Sequence, residues 1–485
     1  MRIGCLAQFV SARIEPVEAW LECHSGENQF SRAGLVSALS SEGVDCQAAN
    51  REVLPLRLIA FERDDPELLD LVTTRSEQGQ RRVLVIAIRK AAMVGGIPWR
   101  LLQAGASDVC AWDSMEDPAE YVAARLRRWR EIDELVDSPL VRDNLVGRSK
   151  AWLSVLRQVV EVASFTDASV LITGESGTGK ELIARLIHTL DGRPDKRELV
   201  VLDCTTVVPE LSGSEFFGHE RGAFTHAVAT REGAFAMAEN GTLFLDEVGE
   251  LPLTLQAELL RMVQERTYKR VGGNTWKRVD FRLVCATNRN LLEEKARGAF
   301  RLDFYHRIAS WVCRLPSLNE RREDILPLTR FFLAQVGSET TDLDSAVCDY
   351  LMLRNYPGNV RDLRQVVIRM AKRHVGRGPI TVGDIPEDES PFAAGMADGE
   401  WKNAEFEKGI RRALSLGVSL KEIGQGAAEV AVQIALEDAE GNLQNAAQKL
   451  GVTDRALQMR RASGRKRGIE SPADASGSEL SISRP

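Results

Sequence analysis

The chain reads as a multidomain α/β protein: a small parallel α/β domain, a larger α/β nucleotide-binding domain with a helical annex, and an all-α C-terminal end. Three observations predict this. Before residue 140, apolar strand-like runs alternate with helical stretches. From Ser169 onward a strand, a glycine-rich turn ending at Lys180 and a helix follow one another. Near the C-terminus, two short helical patterns flank Gly451. A length of 485 residues is enough for separate cores in each part.

In the first part, the strand-like runs are Leu56–Phe61, Arg82–Ile88 and Asp108–Trp112, with helical stretches at Pro66–Gln78 and Pro98–Ala106. This predicts a regulatory α/β domain over residues 1–140. The turn Gly105-Ala106-Ser107-Asp108 resembles that of a response-regulator receiver; another α/β sensor fold is the alternative. The resemblance implies a pseudo-receiver. Glu62 takes the phospho-acceptor place, Ala87 and Trp112 replace the hydroxyl and lysine positions, and Ala7-Gln8 replaces the acidic pair. Without the acids there is no Mg²⁺ site, and without the lysine nothing neutralises a phosphoryl group. Asp117-Pro118-Ala119-Glu120 starts a helix, and Val122, Leu126, Trp129, Ile132 and Leu135 recur along it. Its stripe either packs on its own sheet or pairs at its far end with a second subunit.

The second part opens with the buried strand Ser169–Thr173. Gly174, Glu175, Ser176, Gly177, Thr178, Gly179 and Lys180 follow as G-x-x-x-x-G-K, and a helical pattern runs from Glu181 to Leu190. The glycines let backbone N–H groups curl around phosphate oxygens, the helix N-terminus adds its positive dipole, and Lys180 meets the outer phosphates. The generic motif has Ser or Thr at position 181, and a bare glycine-rich turn is the bland alternative. The strand Thr242–Asp246 then ends in two carboxylates: Asp246 to hold Mg²⁺, and Glu247 to polarise the attacking water. A third strand, Phe281–Ala286, ends in Thr287-Asn288, which places Asn288 as a nucleotide sensor.

The segments Gly174–Glu181, Phe217–Ala227, Gly241–Glu247 and Ala286–Arg289 resemble the AAA+ domain of sigma-54-dependent transcriptional activators, the bacterial enhancer-binding proteins of NtrC type. The resemblance extends from Leu145 to Ile385. It implies an AAA+ P-loop ATPase subdomain over residues 145–310, a helical lid over 311–385, and ATP with Mg²⁺. In that family Glu follows the P-loop lysine, so Glu181 belongs with the nucleotide-binding residues. The resemblance assigns Arg301 and Arg307 as arginines acting on a neighbouring subunit, which implies a homo-oligomer, from dimer to hexameric ring. It assigns Arg361, in Pro357–Arg361, to its own subunit's nucleotide. Gly222, Ala223, Phe224, Thr225, His226 and Ala227 take the place of the family's GAFTGA loop, which presses on sigma-54; His226 stands where the family has glycine. Asp203 stands where the family usually has Asn, in a position that restrains the catalytic Glu. An ionised Asp203 cannot donate a hydrogen bond and would repel Glu247, so either one carboxyl stays protonated or the restraint differs.

Residues 386–400 read as a linker. Within 401–470, Asn442–Leu450 is helical with Ala446 and Ala447 inward, Gly451 breaks it, Val452 plugs the corner, and Thr453 caps a second helix to about Ala462. A plain α-hairpin has the same layout, but the pattern resembles the Fis-type helix-turn-helix that closes this family. Arg455 and Gln458 lie one turn apart as base readers of double-stranded DNA, and Arg460 and Arg461 suit phosphates. The Ser-rich stretch 471–485 reads as a disordered tail.

The net charge of −7 excludes a surface coated for nucleic acid, though not one local basic module. Eight scattered cysteines without C-x-x-C indicate neither zinc nor disulfides and suit a cytoplasmic protein. No apolar run reaches membrane-spanning length. The resulting expectation is an ATPase that remodels sigma-54 RNA polymerase from an upstream DNA site. The alternative is a DNA-bound regulator acting without sigma-54, on another polymerase form or by occlusion, and His226 is the residue that separates the two.

Overall fold

The computed structural model describes residues 16–24, 32–47, 54–63, 65–207, 211–225, 227–337, 342–389, 404–439, 442–453, 455 and 457. They form two compact units that meet in sequence at Pro386 and Glu387.

The first unit opens with β1 (Val17–His24), α1 (Arg32–Ser41), β2 (Val44–Gln47), β3 (Leu56–Phe61), α2 (Pro66–Ser76), β4 (Arg82–Ala87), α3 (Ile97–Gln103) and β5 (Asp108–Ala111). The sheet is parallel in the order β2-β1-β3-β4-β5, a doubly wound arrangement. Alternation along the strands sorts the two faces. Leu58, Ala60, Leu84 and Ile86 pack beneath α1, while Ile59, Phe61, Val83 and Val85 pack beneath α2 and α3. Asp65 caps α2, accepting from Leu68 N at 2.9 Å, and Pro66 opens it.

Glu62 follows β3, Ala87 ends β4 and Trp112 follows β5, as expected. Among the described residues the first strand is Val17–His24, which the sequence reading had not singled out; Ala7-Gln8, the expected place of the acidic pair, lie outside the described residues. The alternating Glu18 and Glu22 break up its apolar signal. His24 Nε2 lies 2.9 Å from both oxygens of Asp65.

The helix α4 (Pro118–Asp137) answers the question its stripe left open. Val122, Ala123, Leu126 and Trp129 pack on the N-terminal sheet. Ile132 and Val136 continue into the core of the next domain, among Trp152, Val155 and Ile183. Asp133 joins Arg82 at 3.5 Å on one side and Arg157 at 2.8 Å on the other. One helix thus serves two cores, and it runs up to the boundary expected near residue 140.

After α5 (Pro139–Arg142) come α6 (Lys150–Phe165), β6 (Val170–Thr173), α7 (Lys180–Leu190), β7 (Leu199–Asp203) and α8 (Ser212–Phe217). The short pair β8 (Gly218–His219) and β9 (Arg231–Glu232) precedes α9 (Ala234–Met237), β10 (Thr242–Asp246) and α10 (Leu253–Glu265). A second pair, β11 (Thr267–Tyr268) and β12 (Lys277–Arg278), leads to β13 (Arg282–Thr287), α11 (Leu291–Ala296), α12 (Leu302–Ile308) and β14 (Trp311–Arg314). The main sheet is parallel in the order β14-β6-β13-β10-β7. α6 and α7 cover one face, and α10 and α12 cover the other. The fully buried Arg282 donates to Ala163 O at 2.9 Å and Val162 O at 2.8 Å, so a cation caps the C-terminal turn of α6. A helical lid follows: α13 (Ile325–Gln335), α14 (Ser345–Leu353) and α15 (Asn359–Arg373), around Leu333, Leu351, Tyr356 and Val367.

The second unit contains α16 (Ala404–Ser415), α17 (Leu420–Asp438) and α18 (Leu443–Lys449). Asn442 caps α18 through Gln444 N at 3.0 Å, Gly451 turns at φ +62°, and Val452 N donates to Ala447 O at 3.0 Å. Ala435, Ala446, Ala447 and Leu457 form a small core. Leu457 N donates to Thr453 O at 3.1 Å, one turn of helix beyond the glycine, with Arg455 exposed on it. Gln458, Arg460, Arg461 and the 471–485 tail lie outside the described residues. α16 and α17 had no counterpart in the sequence reading.

The shared helix carries a prediction. Ile132→Ala removes a side chain buried in the second core, at a cost of about 2–5 kcal/mol. Amide exchange in α6 and β6 should accelerate, whereas Leu126→Ala should act on β3 and β4. Unchanged exchange in α6 for I132A would place the end of α4 outside that core.

Candidate nucleotide site and remodelling loop

The phosphate loop leaves β6 at Thr173 and enters α7 at Lys180, turning through Gly177 at φ +79° and Gly179 at φ +104°. Both angles favour glycine. Lys180 is only 7% exposed; its Nζ donates to Gly174 O at 3.1 Å and lies 3.0 Å from Glu247 Oε1. Glu247 follows the end of β10 in the left-handed region at φ +50°, which swings its carboxylate back over the sheet edge. Asn288 N donates to Glu247 Oε2 at 2.9 Å. Lys180, Glu247 and Asn288, expected separately from sequence, therefore meet in one cluster.

Asp246 sits beside them, its Oδ1 accepting from Glu247 N at 3.0 Å. Burial first, and then the neighbouring Glu247 charge, push its carboxyl above the usual range, with Lys180 partly offsetting them. Asp203 adds a smaller push in the same direction. The expected clash between Asp203 and Glu247 takes a different form. Asp203 Oδ1 is engaged by Thr205 N at 2.9 Å and Thr205 Oγ1 at 2.7 Å, while Glu247 is held by Lys180 and Asn288. Carboxylates thus outnumber the one lysine, a donor set that favours a cation. Among the described residues no three His, Cys, Asp or Glu side chains converge as a complete metal cage.

The lid reaches this loop directly. Arg361 Nη1 lies 3.4 Å from Ser176 Oγ. Asn359 Nδ2 donates to Glu175 Oε2 at 2.9 Å and to Ser176 O at 3.0 Å. Glu181 turns outward instead, pairing with Arg185 at 2.6 Å on an exposed helix face. Arg301 pairs with Asp303 at 2.7 Å, and Arg307 donates to Val263 O at 3.2 Å; the structure does not join either to the Lys180 cluster.

Besides Asn359, sequence reasoning missed the roles of Asp324 and Arg321 here. Asp324, 1% exposed, accepts from Arg148 N at 2.6 Å, Ser149 N at 2.9 Å and Ser149 Oγ at 2.6 Å, tying the lid to the segment that leads into α6. Arg321 lies with its guanidinium 3.9 Å from the Trp152 ring centre, and its Nη2 is 3.5 Å from Thr178 O. Burial lowers its pKa to about 10. An acidic residue just before an apolar helix reads as an ordinary cap, which hid Asp324.

The loop beginning at Phe217 rises on the β8–β9 pair, and its described tip closes through Gly222 N to Ala227 O at 2.8 Å and Ala227 N to Phe224 O at 2.9 Å. Phe224 packs edge-on against His219 at 4.9 Å, and His219 Nδ1 meets Ser214 Oγ at 2.7 Å. Arg270, from the second hairpin, joins Glu220 and Glu232, each at 3.2 Å. His226 lies outside the described residues.

A parallel five-stranded sheet, a phosphate loop, a strand-end carboxylate pair and a helical lid define a P-loop ATPase of AAA+ type. The Sigma-54 interaction domain family matches residues 145–313, and the AAA+ ATPase lid domain family matches residues 319–395. Transcriptional regulatory protein ZraR of Salmonella typhimurium is 34% identical over 432 residues, covering 87% of this chain and 92% of ZraR. Regulatory protein AtoC of Escherichia coli is 33% identical over 448 residues, covering 88% and 94%. Nitric oxide reductase transcription regulator NorR2 of Cupriavidus necator is 38% identical over 325 residues, 64% of this chain; there the match spans only 60% of the relative's length. The chain belongs to the sigma-54-dependent AAA+ transcriptional activators.

The Asp324 hub can be tested apart from activity. Asp324→Ala strands three donors, the two on Ser149 buried, and the first unit should lose about 2–4 kcal/mol against urea. A loss below about 1 kcal/mol would mean that water replaces the carboxylate at little cost.

Proposed function

We propose that this chain binds DNA upstream of promoters and, as an oligomeric ring, uses ATP hydrolysis to remodel sigma-54 RNA polymerase. The observation that carries the reading is the Lys180–Glu247–Asn288 cluster. In it Lys180, suited to bind phosphate, and Glu247, suited to orient water, lie 3.0 Å apart, and the main-chain N–H of Asn288, the residue assigned as sensor, donates to that carboxylate. When bound with ATP, Mg²⁺ would draw charge from the outer phosphates, and Asp246 is the carboxylate placed to hold it. Lys180 would leave Glu247 for the incoming phosphate and free that carboxylate to accept a proton from water. Arg301 and Arg307 are assigned to the neighbouring subunit's nucleotide, which makes the ring part of the active site. Arg361 is assigned to the nucleotide of its own subunit.

The second unit is assigned as the DNA reader, with Arg455 and Gln458 at base edges and Arg460 and Arg461 on phosphates. The N-terminal domain is assigned a regulatory role without phosphoryl transfer. A second reading, regulation without sigma-54, keeps one specific support: histidine at position 226 in a loop whose family partner residue is glycine. A residue with a Cβ costs roughly 1–2 kcal/mol wherever glycine's positive φ is needed.

Transcription in vitro with sigma-54 polymerase, an upstream DNA site and ATP tests the whole reading. Lys180→Ala should abolish nucleotide binding. Glu247→Gln should retain ATP and lower turnover by about two to three decades. Wild-type hydrolysis by both variants would sink the assignment of the cluster. His226→Gly should strengthen sigma-54 capture in a complex trapped with a transition-state analogue, while basal hydrolysis stays unchanged. If neither form captures sigma-54, the second reading replaces the first; if both capture it equally, the loop tolerates histidine.

A further inference from the structure

We infer that Asn359 is a positioning residue that sets phosphate affinity from the lid, by fixing which way the peptide groups of the phosphate loop face. The inference rests on the nucleotide-site reading above. Asn359 is the first residue of α15, fully buried, with φ +51°. That angle disfavours a residue with a Cβ, so three specific side-chain bonds must outweigh it. Oδ1 accepts from Leu318 N at 2.7 Å, and Nδ2 donates to Glu175 Oε2 at 2.9 Å and Ser176 O at 3.0 Å. The partners fix the amide orientation, since Leu318 N can only donate and Ser176 O can only accept. One side chain therefore ties the lid helix, the strand-to-lid connection and the phosphate loop together.

Its neighbours extend the same pattern along the loop. Gly174 O accepts from Lys180 Nζ at 3.1 Å and Glu175 O from Thr178 Oγ1 at 2.8 Å. Ser176 O is held by Asn359, and Gly177 O accepts from Val360 N at 3.1 Å. Thr178 O faces Arg321 Nη2 at 3.5 Å. Every carbonyl from 174 to 178 is thus tied on the protein side. A peptide is planar and trans, so fixing a carbonyl points the next residue's N–H the opposite way. Holding Ser176 O and Thr178 O aims the N–H groups of Gly177 and Gly179 away from the lid contacts, as an anion cradle requires, while Thr178 N closes the turn onto Glu175 O at 3.4 Å. Three of these five ties come from the lid or its base. The fit is close: a Cβ on Gly177 would stand 2.2 Å from Gly358 O.

The test uses the full chain, a fluorescent ADP analogue and steady-state hydrolysis. Asn359→Gly keeps the backbone angle and removes only the side-chain ties. It should bind the analogue about tenfold more weakly. KM for ATP should rise in step, while kcat stays within about twofold, because Glu247 and Asn288 are untouched. Its melting temperature without nucleotide should fall, since the three lost bonds outweigh the strained angle that glycine relieves, so the rise in KM at steady kcat is the readout that separates positioning from stability. Asn359→Asp should bind more weakly than N359G, because a second carboxylate then faces Glu175, and combining it with E175Q should recover part of the loss. Wild-type-like binding by N359G overturns the inference, as does a fall in melting temperature and kcat without a change in binding. Failure of the wild type to bind the analogue would overturn the nucleotide-site reading, and this inference with it.

Discussion

A phosphate-binding loop must leave several backbone N–H groups aimed at a space with no protein acceptor, and a peptide left to itself would not stay that way. Unsatisfied donors turn toward the nearest oxygen or water, and glycine-rich segments have little stiffness to resist. In this chain the constraint is met from behind. The carbonyls of the loop are tied to Lys180, Thr178, Asn359, Val360 and Arg321, so the amide planes cannot rotate without breaking bonds elsewhere. The lid accordingly does more than cover a nucleotide. It forms part of the wall that gives the cradle its shape, and Asp324 ties that wall to the Arg148–Ser149 segment that opens the domain.

The N-terminal domain connects to the same machinery through solid parts. Glu62, Ala87 and Trp112 stand at the C-terminal ends of β3, β4 and β5, and the first described strand ends in His24, paired with Asp65. The connection is α4, with Leu126 and Trp129 in one core and Ile132 and Val136 in the next. Asp133 between Arg82 and Arg157 adds a polar fastening at the crossing. Removing one partner from so enclosed a charge group is costly, and that favours a single docking geometry. From α4 the contacts pass to α6, whose last carbonyls are held by Arg282 of β13, the strand that ends beside Asn288. The series is a contiguous packed path, and coupling along it is a separate property.

Much of the nucleotide site was legible in the sequence because its chemistry depends on short, ordered motifs. A strand followed by G-x-x-x-x-G-K, and a strand ending in Asp246-Glu247, state residue type and position together. The strands themselves fell within a residue or two of the expected ends. β1 was missed because Glu18 and Glu22 break its apolar run, even though Leu21 is buried and Trp20 nearly so. Asn359 and Asp324 were missed for another reason. Their partners on the phosphate loop and the Arg148–Ser149 segment lie more than a hundred residues away in sequence, and a buried amide is written with the same letter as an exposed cap. The double use of α4 was half legible: the stripe announced burial but not which surface would receive it.

The stalk of the loop that rises from Phe217 is not free-standing. His219 bridges to Val271 of the second hairpin, Glu220 N donates to Val271 O at 3.0 Å, and Arg270 holds both Glu220 and Glu232. The second hairpin begins where α10 ends, and α10 begins a few residues after Glu247. Glu247 and the Arg270 clamp are thus separated in sequence by little more than α10. At the far end Phe224 lies against His219, a ring contact worth about 0.5–1.5 kcal/mol. Even so, Phe224 remains 37% exposed beside that ring, so the contact steadies the described part of the loop without burying its aromatic side chain, and Gly222 at φ +81° makes the turn that leads to it.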